Sequence, residues 1–146
     1  MQIAKILGAT VVACASSKSK LDRLATIGAD HCVDYSKTSI VDAVNLLFGK
    51  PRVTGSGGVD VAINFTGGDT WKDTQRCVRL GGRILTCGAT AGYEVETDVR
   101  YLWTFEHNVI GANGWRDDDL RALLALISEG SLSPVIDRVL PLERGR

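Results

Sequence analysis

Short runs of β-branched and small apolar residues alternate along the chain with stretches whose apolar positions recur at helical spacing. Thr10 to Ala15 is a continuous apolar run, the pattern of a strand buried on both faces of a parallel sheet. After Ser16-Ser17, Lys18 to Ile27 puts Leu21, Leu24 and Ile27 on one helical face. Gly28 then stands where a left-handed cap ends a helix. Cys32 to Tyr35 predicts a second strand. Ile40 to Phe48 predicts a helix with Val41, Val44 and Phe48 aligned and Thr38 or Ser39 at its start. Beyond a Pro/Gly/Ser loop at 49–58, Val59 to Phe65 reads as a buried strand. Asp69 to Leu80 reads as a helix ended by Gly81-Gly82, and Arg83 to Cys87 as a strand ended by Gly88. Val109 to Ala112 is a further strand. Asp117 to Glu129 is a helix whose three leading carboxylates meet the positive end of its dipole. Val135 to Leu140 is a last extended run, and Gln2 to Leu7 resembles the final turns of a helix closed by Gly8.

Strands and helices alternating at these lengths are βαβ units, so the expected fold is α/β with a doubly wound parallel sheet. The 146 residues suffice for one domain with a core and are too few for two ordinary ones. Apolar residues make up 45% and charged residues 23% of the chain, as in a globular protein. Seventeen basic residues balance seventeen acidic ones. That balance, without a Lys/Arg cluster, argues against nucleic acid and anionic membrane surfaces as partners. Leu120 to Ile127, the longest strongly apolar stretch, contains Arg121 and is too short to span a bilayer. The N-terminus has no basic segment leading into an apolar one, so a cytoplasmic location is expected. Cys14, Cys32, Cys77 and Cys87 form no closely spaced pair. With apolar neighbours around each, they are expected to be small buried hydrophobes with reduced thiols, and no zinc site is expected.

Dinucleotide-binding sheets place G-x-G-x-x-G between the first strand and the first helix, so that pyrophosphate rests on the helix N-terminus. The nearest approach here is Gly55-Ser56-Gly57-Gly58-Val59-Asp60. It carries Asp60 at the sixth position and precedes a strand, so it reads as a loop. Gly67-Gly68 and Gly88 lie just past the C-terminal ends of strands, where open α/β sheets bind ligands. They equally suit tight strand-to-helix turns. His31 and His107 read as surface or boundary residues.

Gln2-Ile3-Ala4-Lys5-Ile6-Leu7-Gly8-Ala9-Thr10-Val11 resembles the first helix and second strand of the cofactor domain of medium-chain dehydrogenases/reductases, nearest the zinc-type alcohol dehydrogenase and quinone oxidoreductase-like branch. The likeness continues through Ile27-Gly28-Ala29-Asp30, Gly58-Val59-Asp60-Val61, Leu80-Gly81-Gly82-Arg83, Cys87-Gly88-Ala89-Thr90 and Pro134-Val135-Ile136-Asp137-Arg138. It implies a single partial Rossmann-like domain over residues 1–146 that lacks the first strand, the glycine fingerprint, the final strand and the catalytic domain. In that family the end of the second strand reads the adenine-side ribose. A carboxylate there selects NAD, whereas hydroxyls and a base accept the 2′-phosphate of NADP. This sequence offers Ser16, Ser17 and Lys18, with Lys20 one turn on and no acid. The resemblance therefore implies NADP(H), its phosphate held by Lys20 and Tyr35, although both lysines also suit a solvated helix start. Phe65-Thr66-Gly67 and Gly88-Ala89-Thr90 fall where the family lines the nicotinamide ribose and carboxamide. Without the fingerprint, binding is expected to be weak, and turnover would need a separate catalytic domain. In the usual strand order the absent strand is the central one, between Thr10–Ala15 and Val59–Phe65. Those two strands could pair directly, accept another segment, or take a strand from a second chain. A homodimer or strand-exchanged oligomer is the expected result, and a cofactor-free oligomeric or interaction module is the alternative function.

Overall fold

The computed structural model describes residues 1–145. In chain order it contains α1 (Gln2–Ile6), β1 (Val12–Ala15), α2 (Lys18–Thr26), β2 (His31–Asp34), α3 (Ile40–Phe48) and β3 (Val59–Ile63). These are followed by α4 (Thr70–Cys77), β4 (Val78–Thr86), α5 (Val99–Thr104), β5 (Asn108–Gly111), α6 (Asp117–Ser128) and a short 3-10 turn, Leu142–Arg144. All strand pairs are parallel, so the α/β expectation holds. The strands form two sheets, β1-β2 and β3-β4-β5. Among the described residues β1 and β3 do not pair directly, and no other segment pairs between them. Two of the three expected ways of closing the sheet are therefore not used within this chain.

Local chemistry fixes the first sheet. Lys5 of α1 forms an ion pair with Asp30 at 2.7 Å, and the same carboxylate accepts from the Val11 amide at 2.7 Å. The hydrogen bond from Lys5 holds the Asp30 carboxyl below its ordinary range, with the Val11 amide acting in the same direction. This one charged group thus joins the end of α1 to the entries of β1 and β2. Gly28 has φ +104, the left-handed stop that the sequence predicts. The Ser39 hydroxyl accepts from the Asp42 amide and caps α3.

The core is in two small pieces. Val41 and Val44 of α3 bury against Cys77 of α4, with Val59 and Phe48 at the margin. Trp71, Val78 and Ile84 form the other, and Trp71 Nε1 donates to Thr97 Oγ1 at 2.9 Å. This pairing of α3 with α4 links the two sheets on one side.

Three sequence expectations are corrected. The helix expected to reach Leu80 stops at Cys77, because Val78 is already extended and pairs with Val59 as the start of β4. Gly81 and Gly82 lie inside that strand, at a register shift between the Val59 and Val61 pairings. A Cβ on Gly82 would strike Val78 Cγ1 and approach Asp60 O to 3.1 Å, so only glycine lets the strands close there. Second, Cys14, Cys32 and Cys87 are exposed, and only Cys77 of the four is buried. Apolar neighbours along the sequence do not bury a residue when the sheet it belongs to has only two or three strands and open edges. Burial, reinforced by the Asp73 carboxylate, pushes the Cys77 thiol up to about 12. Third, Val135–Leu140 joins no sheet among the described residues. Helix α5 was not anticipated. Asp98 caps it by accepting from the Arg100 amide at 3.1 Å, and the Asp98 amide donates to the buried Gln75.

Candidate functional site

Parallel strands place their following loops on a common edge, and the expected site residues gather there in two groups. The first lies at the ends of β1 and β2. Ala15 pairs with Asp34, and the Tyr35 amide donates to Ala15 O at 3.2 Å, which brings Tyr35 across from Ser16. Ser17 is the N-cap of α2, yet its side chain makes no capping bond, so it leaves the first-turn amides of α2 uncapped. The Ser17 and Ser19 hydroxyls lie 3.4 Å apart. Lys18 is paired with Asp22 at 2.7 Å along the helix. Lys20 is exposed and makes no ion pair among the described residues.

The nearby carboxylate, Asp34, is turned to its own loop. It accepts from the Ser36 hydroxyl and amide and pairs with Lys37 at 3.3 Å. The bond from Ser36, followed by the contribution of Lys37, holds its carboxyl below the ordinary range. This end of the sheet therefore presents free amides, hydroxyls, one unpaired cation and a half-exposed phenol, with its acid already neutralised. That combination suits an anion.

The second group lies past β3 and β4. Thr90 N donates to Phe65 O at 3.3 Å, and Ala91 N to Thr66 O at 2.7 Å. Gly67 forms a parallel bridge with Gly92, and Gly68 N donates to Gly92 O at 2.9 Å. Phe65, Thr66, Gly67, Gly88, Ala89 and Thr90 thus form a pair of laced loops. Gly67 has φ +67, and a Cβ there would meet Gly92 O, with Ala89 Cβ at 3.0 Å. It is both a left-handed residue and a point of close backbone approach. Phe65 is 57% exposed at the edge of this group.

Sequence reasoning missed the residue that organises these loops. Asn64 is buried, and its Oδ1 accepts from the amides of Thr66 and Gly67, each at 2.9 Å. Its Nδ2 donates to Thr70 Oγ1 at 3.1 Å and Thr74 Oγ1 at 2.8 Å. Those hydroxyls donate in turn to Gly67 O and Thr70 O. One carboxamide thereby fixes the turn after β3 to the first turns of α4. The available signal was an asparagine between an apolar strand and a Gly-Gly turn, the usual place for a side chain that binds its own backbone.

The remaining candidates are structural. The loop holding Gly55-Ser56-Gly57-Gly58 packs on Lys50, Pro51 and Cys77 at the entry of β3, away from the strand ends that carry the site. His31 stacks edge-on against Phe48, and His107 Nε2 lies 3.1 Å from Val78 O. Among the described residues no three His, Cys, Asp or Glu side chains come together as a metal-holding group. No helix among them is long and apolar enough to cross a membrane.

Comparison with known proteins fits this geometry. The chain is 28% identical over 97% of its length to a crotonyl-CoA reductase of Streptomyces avermitilis, and covers 34% of that protein. It is 30% identical over 94% of its length to quinone oxidoreductase-like protein 2 of Bos taurus, and covers 40% of it. Among solved structures, an NAD-dependent alcohol dehydrogenase superposes with a TM-score of 0.80 at 32% identity, over 92% of this chain and 37% of that one. A 2-octenoyl-CoA carboxylase reductase in complex with NADP and 2-octenoyl-CoA superposes with a TM-score of 0.75 at 25% identity, over 91% of this chain and 32% of that one. The chain therefore spans between a third and two fifths of the length of these curated relatives. The profile of the family described as "Zinc-binding dehydrogenase" matches residues 1–129. The chain belongs to this family of oxidoreductases and corresponds to its nicotinamide-nucleotide-binding type of domain.

Proposed function

We propose that residues 1–146 are one partial dinucleotide-binding domain of a cytoplasmic medium-chain oxidoreductase that uses NADP(H). The observation that supports this most is the anion-ready corner at β1 and β2: uncapped amides of α2, an unpaired Lys20, Tyr35 opposite, and an Asp34 already satisfied by Ser36 and Lys37. A 2′-phosphate fits this donor set, with Ser16, Ser17 and Lys20 donating and Tyr35 flanking. The laced loops of Phe65-Thr66-Gly67 and Gly88-Ala89-Thr90 would line the nicotinamide end, held in shape by Asn64. A bound nicotinamide supplies or accepts hydride, and the domain's part is to bind and orient it. The solved relatives are divided, one being an NAD-dependent enzyme and another a complex with NADP, so the corner at β1 and β2 bears on the choice.

The second substrate, a carbonyl, alcohol or quinone by analogy with the relatives, would be held by a catalytic domain, and residues 1–146 are inactive without one. No role is assigned to zinc. These residues contain no glycine fingerprint. Two or three absent pyrophosphate contacts at about 1.5–3 kcal/mol each would lower a micromolar affinity to millimolar or weaker. Calorimetric titration of this chain is expected to give a Kd for NADPH of about millimolar and weaker binding of NADH, with Lys20→Ala bringing NADPH to the level of NADH. Micromolar NADPH binding, or equal binding of the two cofactors by the unaltered chain, would contradict the proposal.

We also infer that this chain self-associates, as a homodimer or strand-exchanged oligomer. The inner edges of β1 and β3 leave backbone donors and acceptors unpaired among the described residues, and such edges recruit further strands. Val61 and Ile63 of β3 are exposed. Light scattering across a concentration series is expected to show association, and a monomer at every concentration would refute it.

A further inference from the structure

A polar cavity between α4 and α5 lies outside both groups of site residues. It has a volume of about 210 Å³ and is lined by Lys72, Gln75, Arg76, Asp98 and Tyr101. A neighbouring cavity of about 230 Å³ shares Arg76 and Tyr101 with it. Gln75 is only 1% exposed. Its Oε1 accepts from the Asp98 amide at 3.3 Å, so its carboxamide lies where α4 meets the start of α5. The other half of that carboxamide, Nε2, is buried and has no hydrogen-bond partner among the described residues. An amide flip does not remove the deficit, because it would set the NH2 group against the Asp98 N–H.

The charges around this donor decide what can satisfy it. Asp98 is already engaged by its own helix: Arg100 Nε and Nη2 bind its two carboxylate oxygens at 3.0 and 2.7 Å. Lys72 reaches Glu96 at 3.2 Å and Arg76 reaches Asp73 at 3.9 Å, both as exposed pairs that contribute little. Around the cavity three cations, Lys72, Arg76 and Arg100, thus stand against three carboxylates, Glu96, Asp73 and Asp98; the two cations that line it, Lys72 and Arg76, are held only by exposed pairs, beside an unanswered buried N–H donor.

We propose that this cavity binds a phosphate group, free or carried by a small molecule, with Gln75 Nε2 donating at its floor and Arg76 and Lys72 at its mouth. An arginine fork matches two oxygens of a tetrahedral anion, and the lysine adds a point charge. The site is independent of the NADP(H) reading, because none of its residues belongs to either group of nucleotide-site candidates.

The test is an NMR titration of the whole chain with inorganic phosphate, repeated with glycerol phosphate and with sodium chloride at matched ionic strength. Phosphate is expected to shift the Gln75 side-chain NH2 signals and the amides of Lys72 and Arg76 saturably, whereas chloride is not. Stronger binding of glycerol phosphate would identify a phosphate ester as the ligand, and stronger binding of inorganic phosphate the free ion. Arg76→Ala, at an exposed position that leaves the fold intact, is expected to weaken phosphate binding at least tenfold. Gln75→Met, which keeps the bulk but removes the donor, is expected to weaken it as well. Gln75 signals that do not move, phosphate and chloride acting alike, or Arg76→Ala binding as tightly as the unaltered chain would each overturn the proposal.

Discussion

Replacing Asn64 by alanine is expected to destabilise the chain by about 2–4 kcal/mol and to release the loops that follow β3 and β4. The estimate comes from the groups left behind. The amides of Thr66 and Gly67 lose their acceptor, and a buried unsatisfied donor costs about 1–3 kcal/mol. The Gly67 bond is fully buried, so water cannot replace it there. The Thr70 and Thr74 hydroxyls lose a donor but keep their own bonds to backbone carbonyls, which limits the damage to α4. Chemical denaturation of Asn64→Ala and the unaltered chain measures the difference, and hydrogen exchange at residues 65–68 and 89–92 locates it. Asn64→Asp distinguishes a polar organiser from a simple space-filler. It keeps Oδ1 but loses the Nδ2 donors, so it should retain protection at Gly67 while weakening the tie to α4. An unchanged midpoint for Asn64→Ala would show that the carboxamide does not hold the loops.

A second large effect is expected for Gly67→Ala. The residue sits at φ +67, where an L side chain costs roughly 1–2 kcal/mol. The new Cβ would also press on Gly92 O, a backbone atom that forms part of the bridge between the two loops. Forcing a methyl into so close a contact costs about 1–3 kcal/mol more, because the 88–92 loop must move. The combined loss should be about 2–5 kcal/mol, larger than for Gly114→Ala, where nothing lies within 4 Å and only the backbone strain at φ +70 operates. Thermal or chemical unfolding of the two variants side by side separates the contact from the strain. If both lose the same amount, the close approach at Gly67 carries no weight.

Much of the architecture was legible in the sequence because its signals are local. The periodicity of Ile40–Phe48 gives α3 residue for residue, and Gly28 and Gly8 end their helices with the positive φ expected of them. The run of strands and helices gives the parallel pairing. What failed depends on distant partners. The end of α4 is set by Val59, which draws Val78 into β4. The burial of the cysteines depends on how many strands and layers cover them, and two narrow sheets with open edges leave three of the four exposed. Val135–Leu140 has strand composition, but among the described residues it meets no partner strand. Helix α5 is a six-residue element whose start rests on the Asp98 cap, too short for a periodic signal.

The candidate site divides in the same way. Ser16, Ser17, Lys20 and Tyr35 were legible only through the family resemblance, and the parallel pairing of β1 with β2 sets Tyr35 across from Ser16 at the start of α2. That Lys18 is taken by Asp22 while Lys20 is not, and that Asp34 is satisfied within its own loop, emerges only from the packed side chains. Asn64 illustrates this most clearly. The neighbouring Gly67-Gly68 was recognisable as a turn, whereas the carboxamide that shapes the turn acts through bonds to α4 that no local pattern encodes.

The corner formed by β1, α2 and Tyr35 is proposed to read a 2′-phosphate on an adenosine. Amide shifts of the isotope-labelled chain, followed on addition of adenosine 2′,5′-bisphosphate and separately of adenosine 5′-monophosphate, test it most directly. Saturable shifts are expected at Ser16, Ser17, Lys20 and Tyr35 with the bisphosphate and much smaller ones with the monophosphate. Equal responses to the two nucleotides, or shifts confined to residues elsewhere, would contradict it.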